Sequence, residues 1–84
     1  MGPQLMHFSA ILVLSPPEQF SHCLENLAAL PGVEIHHTDQ ESGRTIVVQE
    51  SETLEGQEES LRRIQNLPAV MMAELVYHYP ERQE

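Results

Sequence analysis

The histidines, the cysteine and the methionines are the side chains of this sequence that have the chemistry to bind a transition metal. His36 and His37 are adjacent in a predicted strand, so they point to opposite faces of a sheet and cannot chelate one ion. Met71 and Met72 are separated in the same way, and the sequence has no Cys-x-x-Cys pair. Cys23 falls on the apolar stripe of a predicted helix, where a small buried thiol is ordinary. We therefore expect no metal and no cofactor.

Residue spacings that are typical of an active site are also missing from the sequence. There is no glycine-rich phosphate loop, and none of the four arginines lies in one. The glutamates within residues 55–59 are typical of a solvated helix face. Tyr77, His78 and Tyr79 are able to stack on a ligand, although aromatic residues at a strand end more often pack or shield an edge. We therefore predict that the protein is not an enzyme.

The composition narrows the class of partner. The 84 residues suffice for one domain, and thirteen acidic residues against four arginines and no lysine leave a net charge of −9. This charge argues against nucleic-acid binding, which needs a basic surface. It favours a cationic partner or simple solubility.

The same composition predicts the compartment. The single cysteine cannot form an internal disulfide, which favours a reducing compartment. Residues 1–7 are too short and too uncharged for a signal peptide, and no apolar run approaches the roughly 20 residues that span a bilayer. We predict a soluble, cytoplasmic protein without stable membrane insertion.

One segment of the sequence occurs twice, and its pattern predicts the helices and strands that position the side chains. Residues 24–33 (LENLAALPGV) return as residues 61–70 (LRRIQNLPAV). In both copies aliphatic residues recur at every third position, which is typical of one face of a helix. A Leu-Pro pair then ends the helix, because proline lacks the N–H and the residue before it avoids helical dihedral angles. A valine follows, so each copy predicts a helix that leads into a strand.

Six elements follow from these patterns. Ser15 is a suitable N-cap, with Pro16 as the first helical residue and Glu18 closing a capping box. Gly43 provides a residue with positive φ in the turn of a predicted hairpin. The predicted elements are strand 6–14, helix 16–30, strand 33–38, strand 44–49, helix 54–66 and strand 70–79, followed by a loose tail at 80–84.

A strand–helix–strand unit that occurs twice predicts an α+β fold. Right-handed crossovers place both helices on one face of a four-stranded antiparallel sheet, with the first and third strands in the centre. This is the ferredoxin-like βαββαβ plait, formed by a single domain of residues 1–84 with a core at about residues 6–79. The chain leaves the other face of the sheet uncovered, and we call this the open face.

Alternation along each strand assigns the side chains to the two faces. In the third strand, the polar residues Thr45 and Gln49 place Val47 on the open face as well. The residues predicted to face the helices are Ile11, Val13, Val33, Ile35, Ile46, Val48, Ala73, Leu75 and Tyr77. The residues predicted to lie on the open face are Leu12, Leu14, Val47, Met72 and Val76, with Glu34, His36 and Glu74 beside them.

An apolar patch with acidic edges fits a partner that is apolar and cationic at once. Two other interpretations stay open. Strand propensity alone also places leucine and valine on such a face, and the patch is equally suited to contact between two copies of the chain. We expect a monomer or a weak dimer.

Four segments form an ordered set along the chain. They are residues 11–13 (ILV), residues 30–35 (LPGVEI), residues 42–48 (SGRTIVV) and residues 75–78 (LVYH). Together they resemble the NapD family. The ordered set is more specific than any single motif, and the likeness covers about residues 8–79. Members of this family are small cytoplasmic chaperones for the catalytic subunit of the periplasmic nitrate reductase.

The resemblance implies a function. Such proteins bind the twin-arginine signal peptide of the reductase precursor on the sheet side and delay export until the molybdenum cofactor and the iron–sulfur cluster are in place. They have the ferredoxin-like fold and carry no cofactor. On this basis Leu12, Leu14, Val47, Met72, Val76 and His36 form the peptide-binding surface, and Glu34 and Glu74 attract the two arginines.

Two other functions fit an open plait. A regulatory module that senses a small molecule would form a stable dimer and be stabilised by an amino acid. A structural adaptor would be permanently bound to another subunit through its open face. An acylphosphatase-like enzyme would need a phosphate-holding loop with an arginine, which the sequence lacks.

Overall fold

Four antiparallel strands and two helices make up the protein. The computed structural model describes residues 4–83, and the predicted domain limits at residues 1–3 and at Glu84 lie outside the described residues. In chain order the elements are β1 (Gln4–Leu14), α1 (Phe20–Ala28), β2 (Val33–Asp39), β3 (Arg44–Ser51), α2 (Leu54–Gln65) and β4 (Met72–Gln83).

The strands lie in the order β2-β3-β1-β4, so β1 and β3 are central. This confirms the ferredoxin-like βαββαβ plait that the repeated segment predicts. Both helices pack on one face of the sheet, where Cys23 and Leu27 of α1 and Ile64 of α2 are fully buried. The strand residues buried in the same cluster are Ile11, Val13, Val47 and Ala73.

The start of α1 differs from the predicted capping box. Pro16 is extended (φ −60°, ψ 137°), because a second proline follows it and disfavours helical dihedral angles. Residues 17–19 form a turn of 3₁₀-helix, and α1 begins only at Phe20. The side chain of Ser15 therefore does not cap a helix. Ser15 is buried, and its backbone N–H donates to the carbonyl oxygen of Gly43 at 2.8 Å.

The start of α2 agrees with the sequence. The helix begins at Leu54, directly after Thr53. Thr53 is the N-cap, because its Oγ1 accepts a hydrogen bond from the backbone N–H of Gly56 at 2.9 Å. This bond satisfies one of the free donors of the first turn.

The hairpin turn between β2 and β3 depends on Gly43. Its φ is +72°, and a Cβ there would collide with the backbone carbonyl oxygen of Ser15. We expect Gly43→Ala to lower the free energy of unfolding by about 2 kcal/mol or more, from the left-handed backbone and the steric overlap together. Urea unfolding followed by circular dichroism measures the change.

Ser42→Ala is the matched control for this turn. Its hydroxyl makes one exposed contact, 3.5 Å from the carbonyl oxygen of Asp39, so we expect a change within about 0.5 kcal/mol. Equal stability of Gly43→Ala and the wild type would show that the turn can move away from Ser15.

The face assignment predicted for β3 is wrong. Val47 is 0% exposed and lies in the core beneath the helices, together with Thr45 and Gln49. Ile46 and Val48 are half-buried and lie on the open face instead. Burial of the polar Gln49 is tolerated because its amide donates to the carbonyl oxygens of Glu50 at 2.9 Å and of Pro31 at 3.4 Å.

A bulge changes the alternation of β4. Leu75 pairs with Ile11 and Tyr77 pairs with Ala10, so Val76 is an extra residue without a partner on β1. Alternation along β4 predicts that Tyr77 faces the helices, but the bulge places it on the open face beside Ala10. The sequence carries no marker of this extra residue.

The predicted loose tail at residues 80–84 is also wrong for its first four residues. Residues 80–83 continue β4 and pair with residues 4–7 of β1, and Glu84 lies outside the described residues. The two terminal segments therefore extend the sheet together, which makes the pairing of β1 with β4 the longest in the fold.

Candidate functional site

The open face is built by side chains that follow from the strand register, because paired residues of antiparallel strands point to the same side. From one end to the other, β1 contributes Met6, Phe8, Ala10, Leu12 and Leu14. The partners of these residues are Glu50, Val48, Ile46 and Arg44 on β3, and Glu81, Tyr79, Tyr77, Glu74 and Met72 on β4. β2 adds Glu34, His37 and Asp39 at the edge.

One half of the open face is aliphatic. We call Leu12, Leu14, Ile46, Val48 and Met72 the aliphatic half. Leu12 pairs with Ile46 and with Glu74, while Leu14 pairs with Met72. Met72 is 39% exposed and the other four are half-buried, although no helix of the described residues covers them. A contiguous apolar surface of this kind is typical of a binding site.

The other half is aromatic. The rings of Phe8 and Tyr79 are stacked, with centroids 5.2 Å apart and planes at 16°. Tyr77 is tilted against Tyr79 at 5.5 Å and is 61% exposed. Glu50 pairs with Phe8 and Glu81 follows on β4, and both carboxylates are exposed. We call Phe8, Tyr77, Tyr79, Glu50 and Glu81 the aromatic end.

The sequence prediction places part of this surface correctly. Leu12, Leu14, Met72 and Glu74 lie together on the open face as predicted. Glu34 lies at its edge, paired with Val48. That these residues bind a peptide stays a prediction.

The bulges separate two of the predicted residues from the regular pattern. His36 is exposed and unpaired between Ile35 and His37, with Nε2 3.6 Å from Oε1 of Glu34. Val76 is exposed in the bulge of β4. Both stay predictions, whereas Val47 is excluded from the surface because it is buried in the core.

Sequence reasoning missed Phe8, Ile46, Val48 and the aromatic end. The sequence could have placed Phe8 on the open face, because Phe8 shares the alternation of Leu12 in β1. The sequence could not have placed Tyr77 there, because the position of Tyr77 depends on the bulge at Val76. Ile46 and Val48 were missed because Gln49 and Thr45 are polar residues with buried positions.

The charges of the open face are distributed unevenly. Glu34, Glu50, Glu74 and Glu81 are exposed carboxylates on or beside it. Arg44 is exposed at the end of β3 where it pairs with Leu14 and Asp39, beyond the aliphatic half. Within residues 5–81 the one contact between an acidic and a basic side chain on this face joins Glu34 and His36, both of which are well exposed. The carboxylates are therefore accessible to a cationic partner.

The helix side has a small cavity between α2 and the sheet. Its volume is about 210 Å³, and it is lined mainly by apolar groups, including Leu54, Leu61 and Leu75. His78 lies at its margin, with Nε2 3.4 Å from Nδ1 of His7. Among the described residues, no group of three potential metal ligands lies together.

The cysteine is a structural residue of the core. Burial raises the pKa of the Cys23 thiol, while a hydrogen bond with the Ser15 side chain lowers it to a smaller extent. The thiol is therefore held in its protonated form, which is a weak nucleophile and a poor metal ligand. In the part of the chain that the structure describes, no helix is long and apolar enough to cross a bilayer.

Sequence comparisons with known proteins agree on one family. The sequence model of the family described as NapD protein matches residues 6–82. The chain is 34% identical over 74 residues to Chaperone NapD of Escherichia coli (strain K12). This alignment covers 88% of this chain and 85% of the relative. Chaperone NapD of Shigella flexneri matches to the same extent.

Two solved structures are similar to this fold. The solution structure of the E. coli Tat proofreading chaperone protein NapD superimposes with a TM-score of 0.81 and 32% identity, covering 94% of this chain and 83% of that one. A transcriptional regulatory protein of the AsnC family from Pyrococcus furiosus has a TM-score of 0.60 at 19% identity, covering 93% of this chain and 51% of that one. The second similarity concerns the fold alone.

Proposed function

Because this chain belongs to the NapD family, we propose that it is a Tat proofreading chaperone whose open face binds the twin-arginine signal peptide of the periplasmic nitrate reductase precursor. The family resemblance of the sequence is confirmed, and the chain is a chaperone rather than an enzyme. Binding in the cytoplasm would delay export until the cofactors of the reductase are inserted.

The observation that carries this proposal is the aliphatic half of the open face with exposed carboxylates beside it. A twin-arginine leader has a cationic start and an apolar middle, so the two surfaces match in both chemical properties. Ile46 and Val48 take the place that the sequence assigned to Val47. The remaining contacts of the apolar middle are Leu12, Leu14 and Met72.

Apolar contact supplies most of the affinity. Burying roughly 300 Å² of apolar surface contributes about 7 kcal/mol at about 25 cal/mol per Å², before the cost of association is subtracted. A partly solvated ion pair contributes only about 0–1 kcal/mol. The carboxylates therefore act mainly on the association rate and on the choice of peptide.

Titration of a synthetic twin-arginine leader peptide into ¹⁵N-labelled protein tests the proposal. We expect saturable chemical-shift changes at the amides of β1, β3 and β4, with small changes in α1 and α2. A twin-lysine peptide is the matched control and binds more weakly, because lysine keeps the charge but lacks the planar fork of the guanidinium group. Saturable changes confined to the helices, or no binding, would contradict the proposal.

The oligomeric state bears on the same surface. We infer that the free protein is a monomer or a weak dimer, because the carboxylates of the open face repel those of a second copy. Sedimentation measurements with and without the peptide check this. A tight dimer that the peptide cannot dissociate would favour the adaptor or the regulatory module instead.

A further inference from the structure

We infer that the leader binds the open face in one direction, with its arginine pair at the aromatic end and its apolar middle on the aliphatic half. This inference rests on the proposed function and adds to it a subsite for the guanidinium groups. The sequence suggested Glu34 and Glu74 as the main arginine contacts. The inference moves this contact to the end of the sheet where β1 begins and β4 ends.

The aromatic end has the geometry of a stacking surface. Tyr79 is stacked on Phe8 and packs beside Tyr77, which is 61% exposed and whose ring is tilted at 41° to that of Tyr79. The three rings are thus fixed by one another, while the outermost ring stays accessible. Ala10 lies beside Tyr77 in the register, so the small methyl group leaves space next to the ring.

Guanidinium groups suit this surface better than other cations. The planar group stacks on an aromatic face and donates paired hydrogen bonds to a carboxylate at the same time. Glu50 is in register with Phe8, and Glu81 follows Tyr79 by two residues on β4, so both carboxylates border the rings. Glu34 lies farther away on the edge strand β2, where it pairs with Val48 of the aliphatic half.

The opposite end of the open face is less suited to an arginine pair. Arg44 is exposed there between Leu14 on β1 and Asp39 on β2, so the carboxylate of Asp39 already has a cation as its cross-strand neighbour. From Phe8 to Leu14 the extended strand covers about 20 Å at about 3.4 Å per residue. This distance exceeds the screening length of about 8 Å at physiological salt, so a peptide whose arginines lie at the aromatic end avoids the charge of Arg44. A peptide bound in the opposite direction would place its arginines next to Arg44.

A nitroxide label on the residue before the arginine pair of the leader measures the direction. We expect the bound label to broaden the amide signals of Phe8, Glu50 and Tyr79 more than those of Leu14, Arg44 and Met72. Broadening of the second group, or equal broadening of both, would overturn the inference and leave the proposed function intact. Absence of peptide binding would overturn the proposed function itself.

Substitution of Tyr77 tests the stacking contact. Tyr77→Leu keeps an apolar side chain but removes the ring, and we expect it to weaken binding of the twin-arginine peptide by about 3- to 10-fold. Tyr77→Phe keeps the ring and should retain affinity within about twofold. We expect Tyr77→Leu to change twin-lysine binding less, because lysine stacks less well.

Leu54→Ala is the control on the helix side, where Leu54 is 54% exposed. Its affinity for the peptide should equal that of the wild type. If Tyr77→Leu binds the twin-arginine peptide as tightly as the wild type, or if Tyr77→Phe loses as much as Tyr77→Leu, the ring does not contact the guanidinium group.

Discussion

We expect Val47→Asp to unfold the protein at neutral pH. Val47 is 0% exposed and is buried in one cluster with Ile11, Leu27 and Ile64. The substitution removes apolar contacts and buries a carboxylate that has no partner, which costs several kcal/mol. Since small domains are stable by only about 5–15 kcal/mol, a loss of about 4 kcal/mol or more is severe. NMR spectra and thermal unfolding measure the effect, which we expect as the loss of dispersed amide signals and of a cooperative transition.

Val48→Asp is the matched control, because the same change is made one residue further along β3. Val48 is half-buried on the open face, where a carboxylate reaches water. We expect this variant to keep a cooperative transition, at a cost of about 1–2 kcal/mol. A folded Val47→Asp together with an unfolded Val48→Asp would show that the faces of β3 are reversed relative to the structure.

The second large effect is expected at the centre of the aliphatic half. Leu12→Asn should weaken binding of the twin-arginine peptide at least about tenfold, because the contact loses apolar area and buries an amide without a partner. Leu12 lies between Ile46 and Glu74 in the register, so the apolar middle of the peptide cannot avoid it. The substitution leaves the net charge unchanged, and calorimetric titration therefore reports on apolar contact alone.

Leu54→Asn makes the same change on the helix side of the molecule. Its affinity should match that of the wild type, and the circular dichroism spectra of both variants should show a folded plait. Equal affinity of Leu12→Asn and the wild type would remove the aliphatic half from the binding site. Equal losses in both variants would indicate a general effect on stability rather than a local contact.

The elements and their order follow from local features of the sequence. A three-residue apolar recurrence closed by a Leu-Pro pair defines the end of each helix, because proline acts on its immediate neighbours. The doubled unit then restricts the topology, since crossovers are right-handed. The same locality explains the error at Ser15, where the effect of Pro17 on Pro16 overrides the capping signal.

The faces of the strands depend on contacts between distant residues. The polarity of Gln49 predicts the open face, but in the interior its side-chain amide donates hydrogen bonds to the carbonyl oxygens of the adjacent Glu50 and of the more distant Pro31. Alternation alone placed Tyr77 beneath the helices, but the unpaired Val76 reverses the side for the residues that follow. A shift of the alternation by one residue exchanges the two faces of a strand, so an error of one residue changes the predicted surface of that strand completely.

By itself the sequence determined the βαββαβ order and the acidic character of the protein, because these depend on composition and on short-range pattern. Its ordered motifs also resemble the NapD family. Only the tertiary structure decided that Ile46 and Val48 replace Val47 on the open face, and that three aromatic rings meet at one end of it. The physical reason is that the face a strand turns toward the helices and the position of a bulge both depend on packing and strand pairing with residues far away in the chain.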